Sequence, residues 1–131
     1  MIGLDANIVV RYLVQDDPVE SVIANDIFER RLTDGEPGFL SVVALAEAVW
    51  VLDRTYRFET SEIVTALERL IGFKNLVIEH RPEVAKAFRM LEDGLGSFAD
   101  ALIGALGTSA GCSATLTFDR AAAKLPGFAL P

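Results

Sequence analysis

The chain is poor in the residues that mark several large classes of protein. Its one cysteine, Cys112, excludes an internal disulfide framework and any zinc site made of cysteines alone. Its one histidine, His80, excludes a two-histidine metal site and argues against a zincin. It has no excess of positive charge: 12 Lys and Arg stand against 19 Asp and Glu, a formal net charge of −7. A broad basic surface that holds nucleic acid by charge alone is therefore excluded, and any such role has to use local arginines or bound cations. Asp5 stands where the basic segment of a secretory leader would lie and no long apolar run follows it, so the expectation is a cytoplasmic protein. The uncharged stretch 101–118 reaches the length of a membrane span. It also contains Gly104, Gly107, Gly111 and five Ser or Thr, and reads better as a helix, a turn and a strand.

What is present is a globular composition. Of 131 residues, 51% are hydrophobic and 24% charged, which suits one domain spanning 1–131 with a core of ordinary size. Short apolar runs at Met1–Leu4, Phe39–Leu40, Leu76–Ile78, Ala114–Phe118 and Phe128–Leu130 predict strands. Between them, helical spacing or start signals predict helices over 7–14, 19–32, 42–56, 59–71, 82–92 and from Ser97 to about Gly107. In the second helix Val22, Ile23, Ile27 and Phe28 are expected on the buried face. Strands alternating with helices predict an α/β sandwich with a mainly parallel sheet of four to five short strands covered on both faces.

In open parallel sheets ligands bind beyond the carboxyl ends of the strands. Asp5 follows the first predicted strand, Asp119 follows the fourth, and Asp100 lies in the first turn of a helix. Each also reads as a plain capping residue; Ser97 to Asp100 has the spacing of a capping box. Glu47 is different. It lies mid-helix between Val42-Val43-Ala44-Leu45-Ala46 and Ala48-Val49-Trp50-Val51-Leu52, a segment that reads as buried all round. A buried, uncapped carboxylate has to be paired, protonated or bound to a cation; the bland alternatives are an ion pair or an exposed flank. Four carboxylates converging on one mouth would require such a cation, and without paired His or Cys the donor set suits Mg²⁺ or Mn²⁺. That chemistry serves metal-assisted phosphodiester hydrolysis.

The segment Met1-Ile-Gly-Leu-Asp-Ala-Asn-Ile-Val-Val-Arg-Tyr-Leu-Val-Gln-Asp-Asp-Pro18 resembles the opening of a PIN-domain ribonuclease of the VapC toxin type. Ser41–Leu52, Ser97–Ile103, and Thr115–Arg120 followed by Ala123–Phe128 resemble the later motifs of the same family, in the same order. The resemblance implies a PIN-like three-layer α/β/α sandwich. It implies an endoribonuclease acting on structured RNA such as tRNA or ribosomal RNA, a small antitoxin as partner, and a homodimer. It matches Asp5, Glu47, Asp100 and Asp119 to an acidic cluster that holds Mg²⁺ or Mn²⁺. Asp5 and Asp100 would ligate directly, Glu47 would bind the metal or its water, and Asp119 would complete the cluster. Asn7 and Thr117 match supporting polar positions. Arg11 and Arg120, beside motif acids, are phosphate contacts or structural ion pairs. Ala6 and Ser97 depart from the family pattern, where Thr or Ser and a further Asp are frequent; the loss at 97 counts against a second metal.

Two rival readings remain. Asp5-Ala6-Asn7 faintly resembles the D-x-D of a haloacid-dehalogenase-type phosphotransferase, but Asn7 cannot act as its general acid. The other rival is a PIN-like module that binds RNA or a partner without cutting. Trp50 and Phe98 are expected in the core, and Asp16-Asp17 is expected to be a helix start with solvated charges.

Overall fold

The computed structural model describes residues 1–131, and they divide into two compact units, Met1–Glu79 and His80–Pro131. The first contains β1 (Ile2–Gly3), α1 (Ala6–Val14), α2 (Glu20–Asp26), β2 (Gly38–Leu40), α3 (Val42–Arg54), α4 (Thr60–Ile71) and β3 (Leu76–Ile78). The three strands form a parallel sheet in the order β1-β2-β3, with Ile2 opposite Gly38 and Gly38 opposite Leu76. Gly38 has to be small here. A Cβ on it would meet the side chains of Leu32, Leu76 and Leu4 at 2.9, 3.1 and 3.2 Å. The core of this unit is aliphatic around Leu40, Leu45, Leu52, Leu67 and Leu70, with Phe28 stacked on Tyr12 at 4.1 Å and edge-on to Phe73 at 5.2 Å.

Local signals set most of the helix starts. Asp17 Oδ1 accepts from the N–H groups of Val19 and Glu20 at 2.9 and 2.7 Å, holding the entry to α2. Ser41 Oγ accepts from Ala44 N–H at 3.1 Å and starts α3. The same helix end receives a carboxylate: Val42 N–H donates to Glu79 Oε1 at 3.0 Å, which suits the positive end of the helix dipole. Glu59 and Glu62 form a reciprocal capping box on α4.

The helix expected over 19–32 is altered in two ways. Regular α-helix ends at Asp26 and a wider π-type turn runs over Ile27–Arg31. The buried face is Ser21, Ala24 and Phe28, whereas Val22 and Ile23 are 64% and 55% exposed. Small side chains at 21 and 24 let α2 approach α1 closely, and Ser21 Oγ reaches the Arg11 carbonyl at 3.4 Å. That close approach decides the helix's rotation against its apolar count.

The second unit contains α5 (Arg81–Glu92), α6 (Phe98–Ser109), β4 (Thr115–Leu116) and β5 (Phe128–Ala129), with a 3₁₀ turn over Ala122–Lys124. β4 and β5 pair in parallel, so the five strands hydrogen-bond as three plus two. α5 packs along α6. The uncharged stretch noted above is α6, a turn and β4, and no helix is long and apolar enough to cross a membrane. Its glycines allow close contact. A Cβ on Gly104 would come within 2.6 Å of the Phe128 ring, and one on Gly107 within 2.5 Å of Thr115 Oγ1.

Candidate active site

Asp5 leaves β1 and caps α1, its Oδ1 accepting from Ala6 N–H at 2.8 Å. Glu47 stands in the middle of α3, and α3 packs against α1. These placements bring both carboxylates to one pocket of about 240 Å³, lined also by Asn7, Arg11, Thr55 and Tyr56. Neither carboxylate is ion-paired. Glu47 differs from its expectation in one respect. It is exposed, because α3 is not buried all round: Val43 and Trp50, one turn to either side of it, are 75% and 59% exposed. Trp50 is therefore not core, while Phe98 is, at 2%. With Glu47 in solvent, no desolvation cost forces its carboxylate to find a partner. What distinguishes Glu47 is that it shares a pocket with Asp5.

Arg11 belongs to the wall of this pocket, and much of its guanidinium is already committed. Its Nε donates to Glu20 at 2.6 Å, and its Nη1 donates to the Tyr56 hydroxyl at 2.7 Å and to Asp16 at 3.4 Å. The Tyr56 hydroxyl in turn donates to Asp16 Oδ2 at 2.8 Å. Of the two readings offered for Arg11, the geometry realises the structural ion pair. The Glu20 carboxylate first, then the Tyr56 oxygen, hold the guanidinium above its ordinary range. Burial, then the hydrogen bond to Asp16, push the Tyr56 phenol above its ordinary value. Asp16 is thus not a merely solvated charge. It closes a network that ties α1 and the start of α2 to the end of α3.

In the second unit Ser97 Oγ accepts from Asp100 N–H at 3.1 Å and caps α6. The reciprocal half of a capping box does not form, so the Asp100 carboxylate is left with no hydrogen-bond or ion-pair partner. Asp119 does act as a cap, Oδ1 accepting from Ala121 and Ala122 N–H at 2.8 and 3.2 Å. Thr117 supports it, Oγ1 accepting from Asp119 N–H at 3.0 Å. Arg120 is exposed and unpaired. Within neither unit do three or more His, Cys, Asp or Glu side chains gather into a cage for a metal ion.

Sequence reasoning passed over Tyr56 and Thr55. Tyr56 lies 45 residues from Arg11, and no local pattern announces a contact made only when α3 packs on α1.

Comparison with known proteins identifies the family. A family model described as PIN domain matches residues 2–127. The VapC ribonuclease of Aquifex aeolicus (strain VF5) is 24% identical over 123 residues, which cover 93% of this chain and 90% of that relative. The match spans the segments that hold Asp5, Glu47, Asp100 and Asp119, and the α/β class with parallel strands is the one the resemblance implied. The chain belongs to the PIN-domain family.

Proposed function

We propose that this chain is a metal-dependent endoribonuclease that hydrolyses phosphodiester bonds in structured RNA such as tRNA or ribosomal RNA, and that it acts as the toxin of a toxin–antitoxin pair. The observation that carries the reading is the pocket shared by Asp5 and Glu47, two carboxylates brought together by the packing of α1 on α3 and ion-paired to no side chain. The similarity to a VapC ribonuclease supports the choice of RNA as substrate and an antitoxin as partner. A homodimer in the cytoplasm, built from one domain per chain, belongs to the same reading.

The donor set fits a hard divalent cation. Every polar side chain in the pocket except Arg11 offers oxygen: carboxylates from Asp5 and Glu47, an amide from Asn7, hydroxyls from Thr55 and Tyr56. Mg²⁺ is commonly held by one or two carboxylates, with water and substrate phosphate completing its shell, and Asp5 and Glu47 supply two such carboxylates in one pocket. When bound, Mg²⁺ or Mn²⁺ supplies an activated water and positive charge against the phosphate.

The chain's own residues orient that chemistry. The hydrogen bond from Ala6 fixes Asp5 Oδ1, so the direction of Oδ2 is set by the start of α1. Asn7, two residues on, can both donate to and accept from a neighbour in the pocket. The Arg11–Glu20–Asp16–Tyr56 network keeps the pocket wall in one arrangement, with Arg11 in its structural pairing. Asp100 and Asp119 are further acids needed for cleavage, with Thr117 fixing the turn that presents Asp119.

The test is incubation of the purified protein with total cellular RNA in Mg²⁺, in Mn²⁺ and in EDTA, alongside Asp5→Asn. Discrete fragments that need metal and disappear in the variant are the expected result. Folded, antitoxin-free protein that cuts nothing with either metal would move the reading to a binding module.

A further inference from the structure

We infer that Phe118, Arg120 and Lys124 form a docking strip for an unpaired RNA nucleotide and its backbone. The inference rests on the nuclease reading and names substrate-binding residues that the acidic pocket does not include. Phe118 is 91% exposed, more than any other large apolar side chain in the chain. It is not on a loose end. Thr117 N–H donates to the Ala129 carbonyl at 3.0 Å. The turn after it is closed by the Asp119 N–H bond to Thr117 and by the two N–H groups that Asp119 Oδ1 accepts. A phenyl ring held outside the core on a pinned turn is a surface for stacking.

Beyond Asp119, the cations follow at positions 120 and 124. Arg120 and Lys124 line one open hollow of about 560 Å³ with Ala123 and Leu130, and no carboxylate lines it. Neither cation is ion-paired; Lys86 and Arg89 are not either, but Arg120 and Lys124 line one hollow together. In a chain of net charge −7, two free cations facing a hollow without acids select a polyanion over a second copy of the same acidic chain. Phosphate suits the cations and a base suits the ring. A base can reach the ring only if unstacked, which selects loops or single strands over duplex.

Anisotropy of fluorescein-labelled bulk tRNA, titrated with full-length protein in EDTA across a salt series, reads binding apart from cleavage. The double variant Arg120→Gln/Lys124→Gln is expected to bind at least about tenfold more weakly. The slope of log K against log salt is expected to fall by roughly 1.4, about 0.7 for each single-strand phosphate left without its cation. Phe118→Ala is expected to weaken binding by about tenfold with the slope unchanged. Lys86→Gln/Arg89→Gln removes the same charge from α5 and is expected to do much less. Matching melting curves confirm that the variants fold. Equal weakening in the α5 control, or full affinity in the Phe118 variant, overturns the strip while the nuclease reading stands. A shift in oligomeric state with RNA affinity intact makes the surface a protein interface and also overturns it. Wild type that neither binds nor cuts RNA removes the nuclease reading together with the strip.

Discussion

Replacing Gly104 by alanine sets two effects against each other. Alanine in a helix interior is better than glycine by about 0.5–1 kcal/mol, so on propensity alone α6 should gain. The site opposes this. The new methyl would sit 2.6 Å from Phe128 Cε2, 3.2 Å from Cδ2 and 3.3 Å from the Pro126 carbonyl oxygen. Carbon atoms prefer a separation of about 3.5–4.0 Å, so the ring has to retreat by about 1 Å. The ring's backbone is held: Phe128 pairs with Thr115 in the β4–β5 ladder, and its N–H donates to the Leu125 carbonyl at 3.2 Å. Overpacking of this kind costs about 1–3 kcal/mol. The helix gain offsets part of it, leaving a net loss of about 0.5–2 kcal/mol. For a chain of this length that is a fall in melting temperature of several degrees, about 2–8 °C. Calorimetry of Gly104→Ala, Phe128→Leu and the double variant reads the coupling directly. The smaller side chain is expected to relieve the clash, so the double variant should be more stable than the sum of the two single losses. A melting temperature that rises in Gly104→Ala would refute the reasoning, because helix propensity would then outweigh the close approach.

Titration calorimetry with Mn²⁺ should show binding to the wild type and a loss of at least about tenfold in Asp5→Asn and in Glu47→Gln; unchanged affinity in both would remove the metal from this pocket. Asp100→Asn and Asp119→Asn should each abolish cleavage of total RNA while leaving the circular dichroism spectrum unchanged, and a fully active variant would strike that acid from the site. Asp17 is held below the ordinary carboxylate range by the N–H bonds from Glu20 and Val19, and Glu83 by the Ser109 hydroxyl. Both contributions are complete above that range and are lost as pH falls through the lowered values. Melting temperature should therefore drop on acidification below about pH 4; Asp17→Asn, which keeps a capping oxygen but cannot titrate, should drop less. Phe28→Leu takes away the ring that stacks on Tyr12 and meets Phe73 edge-on, at a side chain only 1% exposed, with an expected loss of about 1–3 kcal/mol in a denaturant melt.

The parts of the fold written in short-range chemistry were legible in the sequence. Ser41, Glu59 and the Asp17-Pro18 pair announce helix starts because a cap acts within one turn. The strand at Leu76–Ile78 was readable from its apolar run. The facing of helices was not, because it depends on neighbours. Val22 and Ile23 point to a buried face by composition, yet small Ser21 and Ala24 take that place against α1. The same limit applied to Glu47. Its apolar flanks suggested burial, but Val43 and Trp50 lie on the exposed side with it. The place of Asp5, after the first strand and at the start of α1, was legible because an apolar run ends there. Thr55 and Tyr56, which line the same pocket, were not, since they arrive only when α1 and α3 pack.

The order of strands in the first unit also bears on how the protein emerges from the ribosome. β2 is bonded on both sides, to β1 made before it and to β3 made after it. Asp5 and Glu47 are both synthesised before Leu76–Ile78, and the last backbone bond of this sheet edge joins Glu79 N–H to the Leu40 carbonyl. At about 5–20 residues per second the pocket's two acids leave the tunnel a few seconds before the strand that finishes their scaffold. For that interval one edge of β2 is open in the nascent chain, a template for any passing extended segment. The brevity of β2, only Gly38–Leu40, limits the hazard, since three residues offer a stray strand too few bonds to hold on to.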